Sequence, residues 1–191
     1  MIYEIVVDAG ETANKCTIAP LALRRDFRLF RVHGEGPLGP LSAPILLHHE
    51  GHCISELKSK IKSPPALASI DCVWRRLPRL ISRIEWVDQK QPVLAKIPEG
   101  FKTAYPRVAA KNTDPSGGLA TIEAIFIAAA ILGNADLTLL SKYYFGRSFI
   151  EMNLQRFSEL GVTTLVPELM PAVPALARTS LTRRLNRGRL G

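Results

Sequence analysis

The stretch Ala66-Leu67-Ala68-Ser69-Ile70-Asp71, followed by Cys72-Val73-Trp74-Arg75-Arg76-Leu77-Pro78-Arg79-Leu80-Ile81-Ser82-Arg83-Ile84, decides the fold. Its first six residues are an apolar run of strand length that closes on an acid. From Val73 onward, apolar side chains at Val73, Leu77, Leu80, Ile81 and Ile84 have arginines between them, so the chain passes from a buried strand through a sharp turn into a helix. Pro78 lies inside that pattern and predicts either an irregular first turn or a helix that begins there.

Working outward, residues 2–7 are a β-branched run of strand length, and residues 28–32 alternate basic and apolar side chains as a half-exposed strand does. Residues 34–40 carry too much Gly and Pro for regular structure. Residues 43–47 read as a short strand, and residues 55–61 as an amphipathic helix ending before Pro64-Pro65. Further along, residues 107–110 read as a strand and residues 111–118 as a polar turn. Residues 121–132 form a strongly apolar helix, and residues 136–145 and 147–160 two more helices broken at Gly146. Strands followed by alternating helices indicate a layered α/β domain with a largely parallel sheet.

A length of 191 residues suits one domain with a real core. The net charge of +8 favours polyanionic partners, nucleic acid first among them. The longest apolar stretch, residues 124–132, falls well short of the roughly 20 residues that cross a bilayer, so no membrane partner is expected. Glu4 and Asp8 interrupt the N-terminal apolar run, which lacks a basic leader and is not read as a signal peptide; a cytoplasmic location follows. Cys16, Cys53 and Cys72 are odd in number and widely spaced, which fits reduced thiols.

In open α/β sheets ligands bind beyond the carboxyl ends of strands. Three such places stand out: Thr17, the turn from Asp71 to Trp74, and residues 116–121. Ser116-Gly117-Gly118 before a helix opening at Thr121 leaves backbone N–H groups that favour a carboxylate or phosphate, although an ordinary capped helix has the same sequence. Asp71 and Trp74 could face one cavity, with a carboxylate and an indole suited to a cation such as a sulfonium. By spacing alone, a capping Asp with a core Trp is the preferred reading. His48, His49, His52 and Cys53 suggest zinc, but the spacing does not give two separated ligand pairs, so no metal is expected and a solvated loop with a buried Cys53 is the preferred reading. A Cys53–His nucleophile pair would lack an orienting Asn or Asp. Lys58, Lys60, Lys62, Arg75, Arg76, Arg79 and Arg83 flank the Asp71 strand and would let a phosphate backbone run across a shared face; scattered solvated charge is the alternative for each.

Five segments follow one another in a familiar order: Lys15-Cys16-Thr17, Ile70-Asp71-Cys72-Val73-Trp74, Tyr105-Pro106-Arg107-Val108-Ala109-Ala110, Leu119-Ala120-Thr121-Ile122-Glu123-Ala124, and Phe145-Gly146-Arg147-Ser148-Phe149-Ile150-Glu151-Met152-Asn153. Over nearly the whole chain up to about Leu160, this resembles the small-subunit rRNA aminocarboxypropyltransferases of archaea and eukaryotes. The DTW-domain tRNA enzymes share the Asp-x-x-Trp and Leu-x-Thr-x-Glu-Ala elements. The resemblance implies a SPOUT-like α/β fold with a trefoil knot. A small β-rich part would occupy residues 1–62, the cofactor-binding part residues 63–162, and a Pro- and Arg-rich arm residues 163–191. It further implies transfer of the 3-amino-3-carboxypropyl group of S-adenosylmethionine to a uridine-type nucleotide of structured RNA, rRNA or a small-subunit precursor before tRNA, in ribosome maturation.

By motif, Thr17 resembles the threonine that holds the amino-acid end of the cofactor, and Trp74 the tryptophan on the transferred chain. Thr121 resembles the hydroxyl near the carboxylate, while Ala68, Ala104 and Gly117 fall where main-chain groups surround adenosine. Asp71 matches the acid that deprotonates or orients the uracil nitrogen. Two other readings share these features: a SPOUT-type RNA methyltransferase, and a non-catalytic RNA-binding factor in ribosome assembly.

Overall fold

The computed structural model describes residues 1–10, 16–61, 64–106 and 118–169. Among these residues, β1 (Ile2–Val7), β2 (Phe27–Arg31), β3 (Leu38–Leu41) and β4 (Ile45–Cys53) precede a short helix α1 (Ile54–Leu57). Next come β5 (Ala66–Asp71), α2 (Leu77–Ile81), β6 (Ile84–Trp86) and β7 (Val93–Lys96), then the longer helices α3 (Thr121–Ile131) and α4 (Gly146–Glu159).

The main sheet has the order β2-β1-β5-β4-β7, and every pairing in it is parallel. Such a sheet is covered on both faces. Side chains of Tyr3, Ile5, Val7 and Leu67 join α1, α3 and α4 in one core cluster. The opposite parity, Val6, Ala66, Ala68 and Ile70, packs with Leu77 and Leu80 of α2 and with the small parallel pair β3–β6. This alternation fixes the site, because Asp71 shares the parity of Leu67 and faces α3. α3 is buried almost all round, as expected of a helix lying inside the layer stack. Its Phe126 meets Phe149 and Phe157 of α4 edge-on at ring separations of 6.3 and 5.8 Å. Each ring contributes about 1.5–3 kcal/mol through burial alone.

Four expectations change. Residues 38–41 do form a strand, because Leu38 and Leu41 both reach the second core cluster across a register shift. β4 runs on through the histidine-rich segment: Leu47 and His52 both pair with Ala95, so the residues between them bulge out before the strand resumes at His52-Cys53. Gly51 makes this bulge possible, since a Cβ there would lie 2.4 Å from the backbone of Leu94 and Ala95. The helix predicted over 55–61 is limited to α1. The helix predicted over 136–145 is a short 3-10 turn, Leu137–Leu140. After Asp71 a 3-10 turn, Trp74–Arg76, precedes α2, which has Pro78 in its first turn. The predicted strand at 107–110, most of the turn at 111–118 and the arm beyond residue 169 lie outside the described residues.

Candidate active site

Parallel strands leave their carboxyl ends at one edge, and three chain segments meet there. Asp71 ends β5, Cys16 and Thr17 lie between β1 and β2, and Thr121 opens α3. The thiol of Cys16 donates to Asp71 Oδ2 at 2.9 Å, and the hydroxyl of Thr121 donates to Asp71 Oδ1 at 2.6 Å. Thr17 Oγ1 accepts the backbone N–H of Ile122 at 3.4 Å, which leaves its own proton available to a ligand. Asp71 is buried, while Thr17 and Thr121 are half-buried, so an acid floor lies beneath two accessible hydroxyls.

Burial, reinforced by the charge of Asp71 and the hydrogen bond to it, pushes the Cys16 thiol up from 9.0 to about 12. Cys16 is therefore a donor that locks the acid and a poor nucleophile. Iodoacetamide at pH 8 should modify half-exposed Cys53 and Cys72 well before Cys16, as read by mass spectrometry of the native protein. Faster labelling of Cys16 contradicts the contact. Because the folded protein holds this proton more tightly than the unfolded chain, the thiol's contribution to stability is whole below pH 9 and erodes as pH rises toward about 12.

The rim is set by Glu123, which is fully buried. Its Oε1 accepts Ala104 N–H at 2.9 Å and Tyr143 O–H at 2.8 Å; its Oε2 accepts Thr103 O–H at 2.6 Å and Ala120 N–H at 2.8 Å. One carboxylate thus joins the loop before residue 107, the start of α3 and the turn before α4. Asn153 on α4 holds the same loop, accepting from Lys102 N–H and donating to Lys102 O at 2.8 and 2.9 Å. Phe101 packs edge-on against Phe157 with ring centroids 5.0 Å apart. Sequence reasoning missed Glu123 as a hub; the signal present was a Glu in the first turn of a helix, where it can reach back to the N-cap amide. It also missed Cys16 as the partner of Asp71, a pairing 55 residues apart that no local pattern carries.

Of the residues singled out in the sequence, Thr17, Asp71 and Thr121 come together. Ala104 borders them, with its N–H committed to Glu123. Ala68 lies in the middle of β5, paired with Glu4 on one side and Leu46 on the other, away from the strand end. Trp74 packs against the second core cluster and meets His49 edge-on at 5.1 Å, on the other side of the sheet from the side chain of Asp71. Gly117 lies outside the described residues.

Across 88% of each chain the architecture matches the SAM-dependent rRNA:acp-transferase Tsr3 from Vulcanisaeta distributa, with a TM-score of 0.58 and 21% sequence identity. The chain has the fold of Tsr3. No family model and no curated protein matches its sequence. Among the described residues no helix is long and apolar enough to cross a membrane.

The histidine cluster contracts to a smaller set: ligand atoms of His48, His49 and Glu50 lie within 4.8 Å of one another, without His52 or Cys53. Partial burial, with His49 beside it, holds the His48 imidazole below its ordinary value. Its Nδ1 accepts the Glu50 N–H at 3.2 Å, which places the proton of the neutral ring on Nε2. Among the seven flanking cations, Arg79 pairs with Glu35, and Arg83 donates to the carbonyls of Gly34 and Gly36. Those two arginines hold the loop before β3. Lys62 lies outside the described residues.

Proposed function

We propose that the protein is an S-adenosylmethionine-dependent transferase that places the 3-amino-3-carboxypropyl group on a uridine-type nucleotide of structured RNA, with rRNA the favoured substrate. The observation that carries this is the convergence of Thr17, Thr121 and Asp71 at the strand ends of a Tsr3-like fold. The donor set fits the amino-acid end of such a molecule: the Thr17 and Thr121 hydroxyls suit a carboxylate, and an acid suits an ammonium. S-adenosylmethionine supplies a propyl carbon activated by a sulfonium, which needs no metal because the leaving group is a neutral thioether.

Thr17 and Thr121 bind and orient the amino-acid end, which selects the propyl carbon over the methyl by position. Asp71 retains a lone pair on each oxygen beyond those used by Cys16 and Thr121, and so can accept the uracil N–H proton. Ala104 and Gly117 are assigned to main-chain contacts around adenosine, while Ala68, paired on both sides within β5, supports the strand that ends in Asp71. Trp74 is assigned to the transferred chain where that chain crosses the end of β5 toward the α2 side, the side its half-buried indole occupies. The reading extends to a SPOUT-like knotted arrangement, a role in ribosome maturation and a cytoplasmic location.

Incubation with carboxyl-labelled S-adenosylmethionine and ribosomal RNA should release methylthioadenosine and label the RNA. Release of S-adenosylhomocysteine would identify a methyltransferase, and absence of binding at millimolar S-adenosylmethionine a non-catalytic RNA-binding factor. Trp74→Ala should weaken S-adenosylmethionine binding about tenfold, measured by calorimetry, as loss of one aromatic wall against a cation. Unchanged affinity would confine Trp74 to the second core layer.

A further inference from the structure

At the carboxyl ends of β1 and β5, on the face opposite Cys16 and Thr121, an open bowl of about 130 Å³ is lined by Asp8, Gly10, Val73, Arg75 and Arg76. A water molecule's share of liquid is about 30 Å³, so the bowl has room for a group of phosphate size. Asp8 is buried, and both its oxygens face Arg76 Nη1, at 3.0 and 2.7 Å. The acid is thereby neutralised and the guanidinium anchored by a single nitrogen. Among the described residues Nε and Nη2 of Arg76, on a side chain 47% exposed, meet no acceptor and present a fork for an oxyanion. Arg75 adds a second cation and brings the lining to a net charge of +1. A Cβ on residue 10 would lie 3.0 Å from Arg76 Nη1, so glycine there leaves the pair uncrowded. The bowl is one strand end from the candidate active site, since Asp8 N–H donates to the Asp71 carbonyl at 3.0 Å.

We propose that Arg75 and Arg76 form a phosphate-binding subsite that seats a phosphodiester of the RNA substrate beside the nucleotide presented to Asp71. The choice of RNA over another phosphorylated ligand rests on the transferase reading, whereas the phosphate affinity does not. Two cations on a turn fixed by a buried acid would set the register of the strand without reading its sequence.

The test uses the full chain with a nine-residue oligouridylate, inorganic phosphate and S-adenosylmethionine as separate probes. Arg75→Ala removes one cation, and Arg76→Lys keeps the charge opposite Asp8 but loses the fork; Lys142→Ala removes the same charge outside the bowl. Arg75→Ala and Arg76→Lys should each weaken oligouridylate binding about tenfold, the factor that one charge-assisted contact carries. Arg75→Ala should also reduce the slope of log affinity against log salt by about 0.7, one phosphate contact on a single strand. Affinity for S-adenosylmethionine should stay within twofold in both, and Lys142→Ala should change oligouridylate affinity by less than either. Equal effects from all three variants, or none from the two bowl variants, overturn the subsite. Phosphate binding that depends on Arg75 without oligouridylate binding would make the ligand a free phosphate and overturn the phosphodiester assignment. A bowl-dependent salt slope in a protein that fails to bind S-adenosylmethionine would uphold the subsite and remove the transferase reading.

Discussion

Glu123→Ala should lower the midpoint of thermal unfolding by roughly 8–16 °C, the shift that about 4 kcal/mol produces in a domain of this size. The size of the effect comes from the four donors that converge on one buried carboxylate. Truncation removes the acceptor of the buried Ala120 N–H and of the half-buried Ala104 N–H, along with one hydrogen bond of the Tyr143 hydroxyl, and a stranded buried group costs about 1–3 kcal/mol. Total stability is of the order of 5–15 kcal/mol, so the loss is a large share of it. Thr103→Ala removes one donor to Glu123 together with the acceptor of the half-buried Tyr105 N–H, and should cost no more than about 1–2 kcal/mol. The contrast, read by calorimetry on both variants, separates a hub from a set of independent contacts. A Glu123→Ala shift no larger than that of Thr103→Ala would mean that the loop before residue 107 is held by Asn153 and Phe101 instead.

The elements legible in the sequence were those whose own residues decide them. β1 and β5 are apolar runs broken only by Glu4 and by Ser69 before the closing acid, and their backbone bonds are made inside a parallel sheet that such runs require. The helical periods of α3 and α4 are likewise intrinsic, and the observed elements lie within a residue or two of the expected spans. What was not legible depends on partners distant in sequence. Leu38 and Leu41 do not alternate as strand residues do, and become a strand only because β6 offers them a register with a shift. The histidine segment looked like a loop because its return to pairing relies on the backbone of Leu94 and Ala95. Residues 136–145 carry helix-forming leucines, yet Asp136 accepts from Thr138 N–H and from Arg24 at 3.1 Å, and Tyr143 turns to Glu123. Tertiary hydrogen bonds there outweigh local propensity, which is a weak prior. The same division runs through the candidate site: Asp71 stands at a strand end that periodicity locates, whereas Cys16 as its partner and the burial of Glu123 follow from packing.

Asp71→Asn should reduce the rate of methylthioadenosine formation about 10²- to 10⁴-fold, the range for loss of a general base, while leaving S-adenosylmethionine affinity within a few-fold. Asparagine preserves the volume and one acceptor oxygen, so either the Cys16 thiol or the Thr121 hydroxyl keeps its partner. The amide nitrogen can donate to the other, and the local fold should lose only about 1 kcal/mol. What asparagine cannot do is accept a proton from the uracil nitrogen. The alternative is that Asp71 is a structural clamp joining the loop after β1 to the start of α3. A clamp predicts a different pattern, in which Asp71→Asn retains the rate within a few-fold while Asp71→Ala loses affinity and stability together. Single-turnover kinetics on both variants, with thermal unfolding alongside, therefore assign the residue. Thr121→Val sharpens the assignment, because it removes the donor to Oδ1 without touching the acid. If Asp71 is the base and Thr121 holds the amino-acid end, Thr121→Val should raise the S-adenosylmethionine KM, with a smaller effect on kcat than Asp71→Asn has.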